Sequence, residues 1–401
     1  IKIAQANPDF PILLQWTGGR GGGHHSFEDF HQPILETYGA IRACKNIVLV
    51  AGSGFGGVDD TLPYLTGDWS LRFDCAPMPF DGVLFGSRVM VAKEGGASDA
   101  VKDAIVAAPG IDDSEWEQTY QGPAGGVVTV LSELGEPIHK IATRGVMLWK
   151  ELDDTVFSLP REKRLSALLA KKQYIIDRLN ADFQKPWFGK KADGRTADLE
   201  EMTYAEVAQR LLQVLYISHQ SRWIDVTMRN LVGDYLLRLE ERFTSSEGPA
   251  ILQSFTQLQE EPYKQVQTII DAYPDCQTQL LASEDVQFFI NLCMRPGQKP
   301  VPFIPLMDKD FHIWFKKDSL WQAEDVDAVA DQDVGRVCIL QGPVAVRYAT
   351  KANEPVKDIL DNIYHGQIAA LLEKYYHNNQ AEVPVVEYLG NETPSVKLPP
   401  Y

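Results

Sequence analysis

Hydrophobic residues in the first ninety positions form three short runs, separated by segments of helical pattern. The runs are 10–16 (FPILLQW), 46–51 (NIVLVA) and 81–85 (DGVLF). Apolar runs of this length, each followed by about one helix, predict parallel β-strands that are buried on both faces. The spacing between them predicts helices over 27–43 and 58–65. We therefore expect βα units, which build both open doubly wound sheets and closed (β/α)8 barrels.

Glycine-rich loops follow all three predicted strands: 18–26 (GGRGGGHHS), 52–57 (GSGFGG) and 86–87 (GS). The second loop formally satisfies the G-x-G-x-x-G dinucleotide fingerprint, and Asp74 lies near the distance expected for a ribose-binding acid. A dinucleotide fold needs such a turn only after its first strand. Three glycine loops in succession instead favour the mouth of a barrel, where backbone N–H groups bind phosphate. The alternative is that these glycines are ordinary turn residues.

The pattern changes after about position 125. Residues 125–142 predict two strands around Gly135, a hairpin and not a further βα unit. From about Gly145 onward, apolar residues recur at spacings of three and four, which predicts a mainly helical region. On one of its helices, Asp234 and Arg238 are spaced to form an ion pair. The predicted helices cover 165–179, 204–217, 223–243 and 356–376.

Composition and charge narrow the class of protein. The 401 residues suffice for two or three hydrophobic cores, and 38 basic against 55 acidic side chains give a net charge of −17. This charge disfavours nucleic acid and anionic membranes as partners. No apolar stretch is long enough to span a membrane. The chain opens on IKIAQ, without an initiator Met and with the pattern of a last helical turn, so we expect a fragment of a longer protein.

Cysteine and acidic residues predict no metal centre. The five cysteines are odd in number and contain no C-x-x-C pair, which encodes neither a disulfide framework nor a zinc site and indicates a reducing, cytoplasmic compartment. The acidic residues within 318–333 lack matching histidines and the glycine spacing of a calcium loop, so we interpret them as a solvated or ion-paired face.

Three stretches resemble the FMN-dependent enoyl reductase of the fungal-type fatty acid synthase β subunit: QWTGGRGGGHHSFED, IVLVAGSGFGGVDDTLPYLTGDWS and FDGVLFGSRVMVAKE. The same loops are similar, more loosely, to the flavin barrels of bacterial enoyl reductases and nitronate monooxygenases. The resemblance to the synthase continues through EPIHKIATRGVMLWKE, RLNADFQKPWF, QKPVPFIP and FKKDSLWQAEDVDAVADQDVGRVCILQGPVA, which together extend to position 345.

The resemblance implies an α/β plus α fold: the C-terminal part of an FMN-binding (β/α)8 TIM barrel followed by a mainly α-helical domain. Residues 1–150 would form strands six to eight of the barrel with the hairpin, 151–350 a helical connector or scaffold, and 351–401 a helix and linker towards the dehydratase domain. Since three parallel strands cannot close a barrel, we expect the upstream part of the β subunit to supply the rest. The other implied partners are the synthase α subunit, in a large hetero-oligomer, and the acyl carrier protein.

The implied reaction is the reduction of a trans-2-enoyl thioester by NADPH through FMN. His24 matches the histidine of the family's G-G-H loop and is the first choice for the proton donor, with His25 as the alternative, because an imidazole titrates near neutral pH. Arg20 would meet a cofactor phosphate, the pantetheine phosphate of the acyl carrier, or solvent. The residues implied in cofactor binding are Gly22, Gly23, Gly52, Ser53, Gly54, Phe55, Gly86, Ser87 and Arg88.

Two other functions stay open at this point. One is a flavin monooxygenase of the nitronate type, which would share the His24 loop but has nothing like the helical region of 150–345. The other is a purely structural connector within a large assembly. His139, which alternates with apolar residues of the hairpin, is interpreted as a strand-surface or hydrogen-bonded histidine and not as a catalytic one.

Overall fold

The computed structural model describes residues 1–23, 25, 29–244, 249–295, 301–316 and 323–378. Its first layer is a parallel sheet of β1 (Ile12–Trp16), β2 (Ile47–Ala51) and β3 (Gly82–Val83), in the order β1-β2-β3. Ile12 lies opposite Ile47, and Ala51 opposite Val83. The three predicted parallel strands are confirmed, although the third contains only two residues.

Only one face of this sheet is buried. Helices α2 (His31–Arg42) and α3 (Val58–Thr66) cover it, and Ile34, Leu49 and Tyr64 belong to the resulting core. On the opposite face, Leu13 is 78% exposed and Leu84 is 43% exposed. The expectation of burial on both faces is therefore wrong for the described residues, because none of them covers the second face.

Most of the remaining structure is helical. Helix α2 begins four residues later than the predicted 27, with the Gln32 N–H donating to the Asp29 carboxylate at 3.2 Å. The predicted helix 165–179 is two helices, broken at Lys171, whose backbone is not helical. The other helices are α1 (Lys2–Ala6), α4 (Asp99–Val106), α5 (Arg144–Leu152), α6 (Arg161–Ala170), α7 (Lys172–Asp182), α8 (Tyr204–Leu215), α9 (Val226–Phe243), α10 (Gln257–Glu260), α11 (Pro262–Ala272), α12 (Ser283–Cys293), α13 (Phe311–Lys316), α14 (Ala323–Asp333) and α15 (Val356–Tyr376).

The predicted hairpin is present and is extended by a later segment. Strands β4 (Val127–Leu131) and β5 (Pro137–Ile141) pair antiparallel, and Gly135 takes a left-handed conformation in the turn between them. The Ile141 N–H donates to the Ile339 carbonyl at 2.9 Å. Residues 339–341 thereby lie along the outer edge of β5. A second, smaller hairpin pairs β6 (Tyr216–Ile217) with β7 (Arg222–Trp223).

The largest core joins the first hairpin to the helices. Val128 and Ile138 of the hairpin belong to the same buried cluster as Trp149 of α5. In this cluster the rings of Phe183 and Phe315 stack with their centroids 4.2 Å apart. Helix α5 crosses position 150, so the predicted division between 1–150 and 151–350 falls within a helix. Where the domains divide stays a prediction.

Helix α15 packs against the first layer. The Gln367 side chain donates to the Thr61 hydroxyl of α3 at 2.7 Å, and Ile359 is buried beside Ala92. The helix has the predicted bounds, while the tail from position 379 onward lies outside the described residues. Within the part of the chain that the structure describes, no helix combines the length and apolar character needed to cross a membrane. All five cysteines fall in this part and carry free thiols.

One predicted ion pair is replaced by longer-range pairs. Asp234 pairs with Arg295 at 3.0 Å, and Arg238 donates to Asp285 at 2.8 Å. Asp285 is 1% exposed and also accepts from Arg242 and from the Tyr204 hydroxyl. An exposed pair four residues apart is worth about 0.3–0.5 kcal/mol, whereas a buried carboxylate without a partner costs several times more. Arg238 therefore pairs with the buried Asp285 and not with Asp234.

Replacing Asp285 tests how much this buried carboxylate contributes to the stability of the fold. Burial alone would raise the pKa of Asp285, but Tyr204, Arg238 and Arg242 hold it below its ordinary value. Asp285 therefore stabilises the fold above about pH 4, and this contribution is lost as the pH falls through the lowered pKa. We expect Asp285→Asn to reduce the free energy of unfolding by about 2–3 kcal/mol at pH 7 in urea titrations, and by progressively less below about pH 4.

The matched control is Asp177→Asn, which removes an exposed carboxylate of α7. It should change the free energy of unfolding by less than about 0.5 kcal/mol at either pH. Equal effects of the two substitutions at pH 7 would contradict the role given to Asp285.

Candidate functional site

The three glycine loops converge at the carboxyl ends of β1, β2 and β3. A Cβ atom at Gly22 would lie 2.6 Å from the Ser87 Oγ and 3.0 Å from the Gly342 nitrogen. A Cβ atom at Gly54, which has a φ of +63°, would lie 2.4 Å from the Arg20 carbonyl oxygen. Such distances exclude any side chain, so these backbones approach each other only because the residues are glycines. The structure thus brings together loops that are distant in sequence.

Several backbone N–H groups at this point have no partner within the described residues. The N–H groups that donate no hydrogen bond to any described residue are those of Ser53, Gly54, Phe55, Gly86 and Ser87. Gly52 differs, since its N–H donates to the Trp16 carbonyl at 2.9 Å. A Cβ atom at Gly23 or Gly86 would meet nothing within 4 Å, so open space adjoins both. Unpaired N–H groups beside open space can bind an anion.

The two serines of the loops use their hydroxyls within the protein. The Ser53 Oγ donates to the Gly18 carbonyl, and the Ser87 Oγ accepts from the Gly342 N–H at 3.1 Å. The side chain of Phe55 is buried in the core beneath the sheet. The Ser53 hydroxyl thus uses its donor within the protein, whereas the Ser87 hydroxyl only accepts there and keeps its own O–H to donate.

Arg20 holds the first loop to the second. Its guanidinium contacts the carboxylates of Asp60 and Asp113 at 2.7 Å each and donates to the Ser53 carbonyl at 3.0 Å. It also lies 4.5 Å above the Phe55 ring. Burial alone would lower the pKa of Arg20, but the two carboxylates raise it well above its ordinary value. None of the expected roles, contact with a cofactor phosphate, the pantetheine phosphate or solvent, matches this buried ion pair.

Arg88 is buried and only partly paired. Its Nη2 lies 3.4 Å from a carboxylate oxygen of Glu354, just before α15. Its Nη1 is also buried and has no hydrogen-bond partner within the described residues. A buried donor without an acceptor costs about 1–3 kcal/mol, or more when charged. An anion held by the neighbouring loop would lower this cost.

The histidines of the first loop have different surroundings. His24 lies outside the described residues. His25 is buried; its ring stacks on that of His139, with centroids 5.3 Å apart, and its Nδ1 lies 2.8 Å from the Gly23 carbonyl oxygen. His139 is fully buried, and its Nδ1 lies 2.7 Å from the Gly21 carbonyl oxygen. Burial lowers the pKa of His139 to about 4, so it is neutral at pH 7.

His139 connects the loop to the hairpin. Its backbone N–H donates to the Gly22 carbonyl at 3.2 Å, and its carbonyl accepts from the Gln341 N–H at 3.0 Å. Of the two earlier interpretations of His139, the hydrogen-bonded one describes the structure, while a position on the strand surface is wrong. The hairpin therefore fixes the backbone of the first glycine loop.

Sequence reasoning missed two parts of this site. The first is Gln341–Gly342, which packs between the loops through Ser87. The sequence does indicate this segment, because 337–342 (VCILQG) repeats the pattern of an apolar run followed by glycine that marks the three loops. The second is a cavity of about 200 Å³ beside Arg20, lined in part by His31 and Arg72. Burial, together with Arg72, lowers the pKa of His31 to about 4.

The described residues of this region contain no metal centre. Within the described residues, no group of three or more His, Cys, Asp or Glu side chains is arranged to hold a metal ion. The site therefore consists of convergent backbone donors, a buried arginine and the histidines of the first loop. Its residue types suit an anionic organic ligand better than a metal.

Comparisons with known proteins place the chain in a family. The family model described as fatty acid synthase subunit beta/Fas1-like, helical, matches residues 11–360. The chain is 59% identical to the fatty acid synthase subunit beta of Schizosaccharomyces pombe, over 98% of this chain and 20% of that protein. It is 55% identical to the subunit beta of Saccharomyces cerevisiae, over 98% and 19%, and 52% identical to the fatty acid synthase beta subunit aflB of Emericella nidulans, over 97% and 18%.

The chain thus spans about a fifth of the length of the curated relatives it matches. The matched family residues include all three glycine loops, the hairpin and the helices up to the start of α15. The chain belongs to the fatty acid synthase subunit beta/Fas1-like helical family.

Proposed function

We propose that this chain is part of a fatty acid synthase β subunit and completes an FMN-dependent enoyl reductase that acts in fatty acid biosynthesis. The convergence of three glycine loops at one edge of a parallel sheet carries the proposal. In a TIM barrel, loops at the carboxyl ends of the strands form the active site. The helical region would hold this edge in place through the hairpin and the segment 339–342.

The residues at the loops fit the phosphate of FMN. Backbone N–H groups of residues 53–55 and 86–87 would bind its oxygens, and the buried Nη1 of Arg88 would add a charged donor. Glycine at position 86 leaves the space beside the backbone open. When bound, FMN supplies the transfer of hydride from NADPH to the enoyl thioester. The backbone N–H groups of 53–55 and 86–87 would bind and orient the phosphate and take no part in the redox step.

We assign the proton donor of the reaction to His24 and a supporting role to His25. His25 has its ring stacked on His139 and its Nδ1 next to the Gly23 carbonyl oxygen, which fixes its orientation. The fixed ring of His25 would stabilise the first glycine loop, which also carries His24. His24 would hold the proton that is delivered to the α-carbon of the thioester, a task for which an imidazole is suited.

The exposed sheet face supports the proposed partner. Leu13, Val50 and Leu84 lie on the face that the described residues leave uncovered. Burying such apolar area yields about 25 cal/mol per Å², and exposed strand edges invite pairing. We propose that the upstream part of the β subunit supplies the missing strands, and that the α subunit and the acyl carrier protein complete the assembly.

The alternative functions predict different observations. A nitronate monooxygenase would need the same loops, but the helical region that contains the largest core would have no counterpart there. A purely structural connector would need no unpaired N–H groups beside open space. The unpaired donors at 53–55 and 86–87 therefore favour the reductase over the connector.

The first test concerns the phosphate of FMN. Gly86→Ala places a methyl group in the open space beside the proposed phosphate, and its negative φ is one that alanine adopts without strain. We expect the full-length protein with this substitution to bind FMN at least about tenfold more weakly, which corresponds to about 1.4 kcal/mol. Equilibrium dialysis with flavin fluorescence measures the affinity.

The control is Gly39→Ala on the exposed side of α2, where a Cβ atom also meets nothing. It should leave FMN affinity unchanged. If Gly86→Ala binds FMN as tightly as Gly39→Ala, the phosphate is not held at this loop.

The second test separates the reductase from the monooxygenase. One sample of the full-length protein with FMN is reduced anaerobically by NADPH and then mixed with crotonyl thioester, and a second sample with oxidised FMN is mixed anaerobically with a nitronate. We expect the thioester to reoxidise the reduced flavin, with the absorbance near 450 nm returning within the turnover time of a typical enzyme, about 0.1 s, and the nitronate to leave the oxidised flavin unchanged. Bleaching of the oxidised flavin by the nitronate, without reoxidation of the reduced flavin by the thioester, would exclude an enoyl reductase.

The third test separates the two histidines. His24→Gln should lower the rate of enoyl reduction by about 10²–10⁴-fold, while reduction of the flavin by NADPH stays unchanged. His25→Gln should instead weaken FMN retention or lower thermal stability, because it removes a ring that stacks on His139. Stopped-flow absorbance resolves both half-reactions. The assignment is wrong if His25→Gln, and not His24→Gln, selectively slows the second half-reaction.

A further inference from the structure

A second cleft lies in the helical region, among α7, α8 and α14. It has a volume of about 670 Å³ and is open on one side. This volume lies within the range of about 300–1,000 Å³ that is typical of sites for small organic molecules. None of the residues assigned above to the glycine-loop site lines it.

Arg210 of α8 lines this cleft, and no carboxylate is among its described hydrogen-bond partners, since Glu206, one turn earlier on α8, pairs with Lys191. Its described partners are the carbonyl oxygens of Phe188 and Trp187, at 2.9 and 3.0 Å, and the side-chain oxygen of Gln213 at 3.2 Å. These bonds occupy three of the five N–H groups of a guanidinium. Burial lowers the pKa of Arg210 to about 10, and no nearby carboxylate raises it. The group is therefore a cation at pH 7 with donors to spare.

Arg336 is a second cation on the same cleft. Its Nε and Nη2 both donate to the Phe183 carbonyl, at 3.0 and 2.8 Å. Burial lowers its pKa despite the carboxylates of Asp182 and Asp333, which are themselves paired with Arg144. The Nη1 of Arg336 makes no hydrogen bond to the described residues, which leaves a donor available.

The rest of the lining favours an anion. Lys190 and His219 add basic groups, while none of the described side chains that line the cleft is an aspartate or a glutamate. In a chain with a net charge of −17, a concave surface lined by two arginines and a lysine is a local excess of positive charge, although the carboxylate of Asp331 lies 4.0 Å from His219. Such a surface attracts anions, although the rest of the protein surface repels them.

Part of the cleft wall is apolar. Pro186, Val214, Tyr216 and Pro302 contribute to it. A bare phosphate would fill only a small part of the volume and would leave this wall in contact with water. A ligand that combines a phosphate with an organic group would use both the basic residues and the wall.

We propose that this cleft binds an organic phosphate, with the phosphate group held between Arg210 and Arg336 and the organic group on the apolar wall. Phosphate oxygens accept from the unused guanidinium N–H groups, and the charge of each arginine is balanced on binding. The inference does not depend on FMN binding at the glycine loops, because the two sites share none of the residues assigned to them.

Hydrogen exchange in the full-length protein tests the proposal at the site itself. The probes are inorganic pyrophosphate, coenzyme A and NADPH; the last two carry phosphate on different organic groups and so distinguish the possible sources. We expect at least one of them to slow exchange in segments 184–190 and 210–219 at a concentration at least about tenfold lower than pyrophosphate requires. That ligand identifies the source.

Two substitutions confirm that the cleft is responsible. Arg210→Gln removes the charge, and Gln332→Glu adds a carboxylate at an exposed position of the lining without removing a buried hydrogen bond. Each should raise the concentration for half-maximal protection at least about tenfold. Arg161→Gln, an equal change of charge at a residue of α6 that does not line the cleft, should leave it unchanged.

Gln332→Glu keeps the test valid if Arg210→Gln fails to fold. The proposal is overturned if no probe protects both segments, if pyrophosphate protects them as well as the organic phosphates do, or if the protection survives in Gln332→Glu at the wild-type concentration.

Discussion

The close approach of four backbone segments is the constraint on which the first layer depends. Gly22, Gly54, Ser87 and Gly342 meet at distances that exclude a side chain at Gly22 and Gly54 and leave little room for one at Gly342. Van der Waals contact alone does not fix such an arrangement. Arg20 does so, because its guanidinium binds two carboxylates and the Ser53 carbonyl from within the first loop. Its buried charge would cost several kcal/mol if either loop moved away.

The helical region stabilises the glycine loops through the hairpin. On the outer edge of β5, the His139 N–H donates to the Gly22 carbonyl of the first loop, and the His139 carbonyl accepts from the Gln341 N–H. The hairpin in turn packs into the large helical core through Val128 and Ile138. A loop that must present backbone N–H groups to an anion needs to be rigid before the anion arrives, since ordering it on binding would reduce the affinity. The largest core of the chain therefore contributes to the site without lining it.

Local patterns predicted the elements of this fold, and long-range contacts escaped them. The strands at 12–16 and 47–51 and helix α15 follow from apolar spacing because each depends on neighbours in sequence. The exchange of the expected Asp234–Arg238 pair for Arg238–Asp285 could not be predicted, since it depends on which carboxylate is buried. The stacking of His25 on His139 joins residues more than a hundred positions apart. The segment 341–342 was overlooked although its apolar run and glycine repeat the pattern of the three loops.

Two arginines that lose hydration in the fold have different partners. Arg20 is buried and Arg210 is half-buried, and Arg20 has two carboxylates and a raised pKa, whereas Arg210 has only neutral hydrogen-bond acceptors and a lowered pKa. A pKa of about 10 still leaves Arg210 charged at pH 7, so the fold carries the unfavourable free energy of a partly desolvated cation. Glu206 stands one turn before Arg210 on α8 but pairs with Lys191 at 2.7 Å. Because Arg210 has no carboxylate partner, an anionic ligand can balance its charge. The affinity of that ligand then includes the electrostatic free energy that an internal ion pair would otherwise have supplied.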